Sequence, residues 1–552
     1  MHRRIARLLA VSFICFVAAV AQPVIRSQNP AVNSASYRTP GMPGSGVAQG
    51  SIFVIFGTGL GPNSVVESST FPLPTMLSDT SVTVTVGGTA VSAIMIYTYV
   101  TQVAAILPST TPVGSGTVTV TYNGQTSVPA PIQVVDSAFG IYTYNQAGAG
   151  QAIATDVHYN INSIIHTFHP GDYGILWGTG LGAIKASDAG APPVGNLPTP
   201  IKVYVGDTTS SDIYYQGRSG CCAGLDQIVF QIPPGVTGCY VPIAVEAGGV
   251  LGNVGNIATI AVSDSGETCS DSVMGQDLVN QLASGKTVDF GYIRLESTLS
   301  QYIPGSAGTA SGDVAMATFS EYTPGTAGLA QYGVSSGYCV AVDCSYGCDV
   351  DSYNGSISDS SPAQLDAGTL SVLYSPPVTL NQYGGYYGAD LTNEGQRYLW
   401  SALTYPFAGT GGAAVGAFSV NDVTSIPATN FEGINNAQSL SVSGDLTVKW
   451  TGGNPMLQNG QVTIGGYSGN SALTQFELLQ CTAPLAAGQL TIPGWVISAL
   501  PPSGTGGTDP YTYPLGWIWI GQYNNPTPFS ATGLTSGIIT DIFYNGLGVY
   551  FQ

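Results

Sequence analysis

The first half of this chain repeats itself at a period of roughly 120 residues, and that repeat narrows the possible folds more than any single motif does. Ser51-Ile-Phe-Val-Ile-Phe-Gly-Thr-Gly-Leu-Gly61 returns as Tyr173-Gly-Ile-Leu-Trp-Gly-Thr-Gly-Leu-Gly182. Val82-Thr-Val-Thr-Val-Gly-Gly88 returns as Ile201-Lys-Val-Tyr-Val-Gly-Asp207, and Thr101-Gln-Val-Ala-Ala-Ile-Leu-Pro108 as Asp226-Gln-Ile-Val-Phe-Gln-Ile-Pro233. Each copy ends in an alternating strand, Thr117–Tyr122 or Val241–Glu246, followed by Asn123-Gly124 or Gly248-Gly249. Apolar residues at every second position, broken by glycine turns, are the pattern of half-buried strands in a β-sandwich. A stretch that occurs twice in this form predicts two copies of one sandwich.

These residues resemble the IPT/TIG immunoglobulin-like fold, and more closely the tandem Solibacter-type C-terminal module of secreted acidobacterial proteins. The Gly-Thr-Gly-Leu-Gly turn carries the resemblance, with the Val-Gly-Gly turn, the Gln-Ile/Val strand ending in Leu/Ile-Pro, and the bridge Gly140-Ile-Tyr-Thr-Tyr-Asn145 before Gly150-Gln-Ala-Ile-Ala154. It covers about residues 28 to 263 and implies an exported sandwich pair without a particular activity. That module usually ends its protein, whereas here nearly 300 residues follow.

The chain has 552 residues, too many for one core. Only 8% are charged and 44% are hydrophobic, a balance that favours strands and turns. The expected fold class is all-β: tandem immunoglobulin-like β-sandwiches followed by one or two further β-sandwich regions. The expected organisation is a signal peptide over 1–21, sandwiches over 22–136 and 137–263, a Gly/Ser/Tyr-rich β-region over 264–438 and a C-terminal β-sandwich over 439–552. A short helix is predicted at Val273 to Ala283, and strands at Gly368–Tyr374, Ala414–Val420, Leu440–Trp450 and Gly516–Ile520.

The leader reading rests on Arg3, Arg4 and Arg7, an apolar run from Leu8 to Val20, and Ala19 and Ala21 before Gln22. No later apolar run reaches about 18 residues, so no spanning helix is expected. With 31 acidic against 12 basic residues, nucleic acid is excluded as a natural partner and anionic lipid disfavoured. Secretion or cell-surface placement, with an extracellular glycan or protein as partner, fits this balance. Beyond Cys15 in the leader, eight cysteines form an even set: Cys221, Cys222, Cys239, Cys269, Cys339, Cys344, Cys348 and Cys481. In an exported chain these read as disulfide candidates, with Cys239 joined to Cys221 or Cys222 and pairing within Cys339, Cys344 and Cys348.

Three constellations carry chemistry worth weighing against a structural role. His158, His166 and His169, with Asp156 and Asp172 nearby, have the donor types of a transition-metal site, but lie in a linker rather than on one helix face. Asp343, Asp349, Asp351, Asn354 and Asp359 have the oxygens of a Ca²⁺ site in a register that is wrong for an EF-hand; the alternative is a solvated loop stapled by disulfides. Tyr383, Tyr386 and Tyr387 in a glycine-rich turn offer rings that stack on sugars. Trp517 and Trp519 alternate within an apolar strand, share one face, and are expected in the sandwich core.

Gly57-Thr-Gly-Leu-Gly61 is read as a tight turn and not a nucleotide loop, since Pro62 follows and no helix begins there. No convincing serine within a Gly-x-Ser-x-Gly elbow is matched by a plausible histidine partner, and Gly44-Ser-Gly46 lies near the chain start without the elbow pattern. Glu394, Glu432 and Glu477 remain free carboxylate candidates without a specific signal, since the geometry of a carboxylate pair comes from folding. The leading expectation is a non-catalytic surface or matrix protein with an adhesive role. The alternative is a secreted carbohydrate-binding protein or hydrolase with its active part in 264–552.

Overall fold

The computed structural model describes residues 22–552 except 253–255, 272, 301–309, 330–332, 346–361, 374–375, 392–403, 424–428, 458–459 and 509–510. In Thr80–Val86, Val82, Val84 and Val86 are buried and Ser81, Thr83 and Thr85 lie half-open between them. That alternation brings the valines against Phe53, Ile55, Val103, Val118 and Val120 in one core. Ala31–Asn33 and Val24–Ile25 pair with Ile52–Thr58, which continues to Gln102–Ile106, Ile94–Thr98 and Val66–Glu67. The facing sheet runs Val47–Ala48, Ala130–Val135, Gly114–Tyr122, Thr80–Val86, Thr89–Ser92. Its first pair is parallel and the others are antiparallel. This is the A-B-E-D sheet facing A′-G-F-C-C′ of an immunoglobulin-like sandwich.

The second copy repeats the order. Gly140–Ile141 and Ala154–Thr155 pair with Tyr173–Thr179, followed by Asp226–Gln231 and Ile213–Arg218. Facing them, Gly150–Gln151 runs parallel to Ala258–Val262, followed by Gly238–Ala247, Ile201–Val205 and Thr208–Thr209. The repeated Gly-Thr-Gly-Leu-Gly has the same role in both copies. Leu60 and Leu181 are fully buried plugs of their cores. A side chain at Gly57 would meet the carbonyl of Val24, and one at Gly178 the carbonyl of Gly140. The glycines admit the neighbouring first strand of each sandwich.

The remainder is built on a 12-stranded sheet. Its main path runs Cys339–Asp343, Phe476–Pro484, Gln461–Gly469, Gly516–Tyr523, Ser536–Phe551, Val288–Ser300, Ala310–Tyr322, Tyr386–Asp390, Asn381–Tyr383. At its centre Ser536–Phe551 lies parallel to Val288–Ser300 over eleven residue pairs, so the sheet has strands on both sides of the boundary expected near residue 438. One face carries two cores. Ile293, Leu295, Phe319 and Ile539 pack on Phe407, Phe418 and Leu370 of a four-stranded sheet. Ile464, Leu479 and Ile520 pack on Val448, Trp450 and Ile492 of a three-stranded one. The predicted helix is present as Gln276–Ala283, with Leu278, Val279 and Leu282 buried against Phe290, Tyr292 and Tyr322.

Buried charges join these bodies. Arg218, 1% exposed, ion-pairs with Asp226 and donates to the carbonyls of Gly182, at 2.8 Å, and of Gly50 in the preceding sandwich, at 3.2 Å. Asp226 also accepts from the Gly180 and Leu181 amides at 2.7 and 2.8 Å, which places the pair on the repeated turn. Asn33 of the first copy donates to the Ala138 and Thr179 carbonyls at 3.0 and 3.1 Å. Arg38 reaches the large sheet: Nη1 is 2.5 Å from Glu477 Oε2 and 3.4 Å from Asp343 Oδ2, and Nη2 donates to the Ala499 carbonyl at 3.1 Å. Tyr204 of the second sandwich stacks on Trp495 with centroids 5.5 Å apart.

Candidate functional site

The face of the 12-stranded sheet opposite its two cores is the richest surface in chemistry. In Gly516–Tyr523, Ile518 and Ile520 enter the core, and Trp517 and Trp519 alternate to the other side, where they are half-buried. This corrects the expectation of a core pair: alternation puts both indoles on one face, and the isoleucines between them claim the interior. Glycines on neighbouring strands let the rings lie flat. A side chain at Gly465 would strike the Trp519 ring, and one at Gly546 the Trp517 ring.

Around Trp519 the rings form a row that crosses four strands. Phe476 is 5.0 Å from Tyr467 by centroids, Tyr467 is 6.1 Å from Trp519, and Trp519 is 6.0 Å from Tyr544 in an edge-on contact. Residues directly opposite in antiparallel strands share a face, so Gln480 beside Gly465 and Thr463 beside Gly521 border the same row. Arg294 and Glu296 continue this face on Val288–Ser300, their charges 3.4 Å apart. Burial pushes the Tyr544 hydroxyl well above its usual range, with Tyr523 and Glu296 adding to the shift. Burial likewise raises Tyr467, with Tyr513 contributing.

Further along these strands, past Gln480 and Thr463, lies a cleft of about 440 Å³ between the second sandwich and this face. Tyr240 and Asp271 stand on one wall, and Thr463, Gln480, Tyr523 and Thr540 on the other. The Asp271 carboxyl is raised by burial, although the Met274 and Val273 amides at 2.6 and 2.7 Å and the Tyr240 hydroxyl oppose the shift. Sequence reading missed Arg294, Glu296, Gln480 and Asp271. A signal existed for Gln480, a polar residue on the open register of Phe476–Pro484, where every second residue is buried.

The sequence-predicted residues fall elsewhere. His166 meets Asp156 at 3.1 Å, while His169 meets Asp172 at 3.2 Å, two separate pairs on the second sandwich. The Asp156 carboxylate also accepts from the His158 amide at 2.8 Å. Among the described residues no group of three or more His, Cys, Asp or Glu side chains has metal-binding geometry. Of the acidic set, Asp343 is committed: it accepts from the Thr39 amide at 2.9 Å and from the Ser345 hydroxyl at 2.6 Å, beside Arg38. Asp349, Asp351, Asn354 and Asp359 lie outside the described residues, as do Cys348 and Glu394.

Tyr383, 49% exposed, stacks on Tyr386 at 5.3 Å in a hairpin at the sheet edge. Tyr387 separates from them, for its ring is buried edge-on against Phe319 and its hydroxyl accepts from the Ala367 amide. The disulfides differ from expectation. Cys221 bonds Cys222, Cys239 bonds Cys269, and Cys339 bonds Cys481. Cys344 is also disulfide-bonded. Cys339 and Cys481 are directly opposite residues of paired strands, a neighbourhood that sheet register creates and local spacing does not reveal.

The strand order defines a tandem immunoglobulin-like β-sandwich protein extended by a larger β-sandwich. Neither a family model nor a curated protein sequence matches the chain. Among solved structures it is similar to the S-layer protein rSbsC, at 13% identity over 94% of this chain and 54% of that one, with a TM-score of 0.19. The chain thus spans about half the length of that protein. Tandem Ig repeats of Dlar share 9% identity over 47% of this chain and 90% of theirs, at a TM-score of 0.12. The N-terminal eight Ig domains of Down Syndrome Cell Adhesion Molecule share 11% over 92% and 59%, at 0.13. Scores this low carry no argument, and the fold assignment rests on the strand order.

Proposed function

We propose that this chain is an exported, non-catalytic surface or matrix protein, in which an IPT/TIG-like pair of the Solibacter-type module, 22–136 and 137–263, is held rigidly against the sandwich formed from 264–438 and 439–552. The single observation that carries the reading is the set of buried charges spanning the junctions. Arg218 ties the two copies together, and Arg38 of the first copy ends between Asp343 and Glu477 on the large sheet. Modules free to flex would be joined by exposed linkers with few contacts. A buried cation held by carbonyls and carboxylates from separate bodies instead fixes one orientation, because opening the junction strands an unpaired charge. Rigid spacing and presentation of surfaces is what such a build supports.

Small-angle scattering of the chain without residues 1–21 tests this. A single rigid envelope matching the fold is expected, and a profile that requires independently moving modules overturns it. A broad hydrolase panel tests the non-catalytic half. Turnover abolished by one carboxylate substitution within 264–552 would replace this reading with an enzymatic one.

A further inference from the structure

We infer that the aromatic row on the large sheet, with the cleft beside it, is a binding face for a neutral, polyhydroxylated polymer, an uncharged polysaccharide. Sugar rings present apolar C–H faces and a rim of hydroxyls, so a site for them needs flat rings flanked by neutral hydrogen-bonding groups. Trp519 lies flat over Gly465, and the half-buried Tyr467 and Phe476 extend the row with successive centroids within 6.1 Å, while Tyr544, 8% exposed, meets Trp519 edge-on and backs it. Gln480, half-buried, borders the row with an amide and also lines the cleft, where the buried Thr463 lies beside it. Three half-buried rings in a row across three strands suit a chain of sugar units better than a single one, since one ring stacks on one residue.

Charge decides between neutral and ionic polymers. Among the described residues, the charged groups that continue this face, Arg294 and Glu296, are paired 3.4 Å apart. The whole chain carries a formal charge of −19, which repels acidic polysaccharides. The proposal goes beyond the scaffold reading and stands on separate observations, so scattering data and binding data test them apart.

The experiment is retention of the full chain, without residues 1–21, on insoluble cellulose, chitin and β-1,3-glucan, with polygalacturonate as the charged control. Trp519→Ala and Gln480→Ala are compared with the parent, and urea midpoints establish that each variant folds. Gln480→Ala removes an amide without opening the core, so it keeps the test valid if Trp519→Ala is unstable. The expected result is retention on at least one neutral polymer, weakened about tenfold by either substitution, the loss of one stacking or hydrogen-bonding contact. Three outcomes overturn the inference: no retention on any neutral polymer, retention indifferent to both substitutions, or retention lost instead in Tyr383→Ala/Tyr386→Ala, which places binding on the edge hairpin.

Discussion

Replacing Arg218 by methionine should do more damage than any other single charge-removing substitution in the tandem pair. The guanidinium is 1% exposed and its partner Asp226 is fully buried, so water cannot take over the lost contacts. The Arg218→Met variant would leave Asp226 charged and unpaired on the repeated turn, and would withdraw donors from the Gly50 and Gly182 carbonyls. Breaking a buried pair from one side costs about 3–5 kcal/mol. With a urea slope of about 2 kcal/mol/M, the first unfolding transition should move down by about 2 M. Circular dichroism in urea measures that shift, and scattering reports whether the copies separate. Asp226→Leu added to Arg218→Met should recover part of the loss, because no charge then remains buried, although the Gly180 and Leu181 amides lose their acceptor. A loss below about 1 kcal/mol for the single variant would refute the claim that this pair holds the junction.

Glu477→Gln should destabilise the protein at neutral pH, because it leaves the buried Arg38 guanidinium with Asp343, at 3.4 Å, as its remaining carboxylate. The urea midpoint should fall by about 0.5–1 M, and an unchanged or higher midpoint would remove Glu477 from the groups that hold Arg38 at the junction. Burial raises the Glu477 carboxyl above its usual range, with Arg38 opposing and Asp343 adding to the shift. Asp156 has the opposite sign: burial works upward but is outweighed by hydrogen bonds from Asn160, His166 and His158, which hold it down to about 2. Its stabilisation is present above the unfolded carboxylate's range and lost as pH falls through the folded value, so Asp156→Asn should flatten hydrogen-exchange changes at residues 156–166 on acidification. The double variant Cys339→Ala/Cys481→Ala opens a bridge of sequence separation 142 and should lose up to about 5 kcal/mol by the loop-entropy argument. The bridge removed in Cys221→Ser/Cys222→Ser joins adjacent residues and closes no appreciable loop, so the urea midpoint should stay unchanged.

The two sandwiches were legible because the residues that define them act locally. Leu60 and Leu181 plug their cores within the same short turns whose glycines admit a neighbouring strand, and Val82, Val84 and Val86 alternate within a single strand. The large sheet was less legible for the converse reason. Its central contact joins Val288–Ser300 to Ser536–Phe551 in parallel, and a pairing across that distance leaves no trace in either strand's periodicity. Disulfide partners followed the same rule: Cys339 met Cys481 through sheet register and not through its sequence neighbours.

Charge scarcity was a usable signal that spacing arguments overlooked. In a chain where 8% of residues are charged, an arginine amid small polar residues, such as Arg38 or Arg218, is costly to bury and so needs specific partners. Both proved to be junction residues. The tryptophans show the limit of alternation more sharply. A strand reading Trp-Ile-Trp-Ile fixes which residues share a face and leaves open which face turns inward, because both sets are apolar. What selects the face is the surroundings: Ile464 and Val448 complete a close-packed interior around the isoleucines, while Gly465 and Gly546 leave flat beds for the indoles on the other side. An aliphatic side chain gains from enclosure on all sides, and a flat ring over glycine keeps one face open. The same tetrapeptide therefore builds the core and the candidate binding row at once, and Gly465→Val should disturb the row while leaving Ile518 and Ile520 packed.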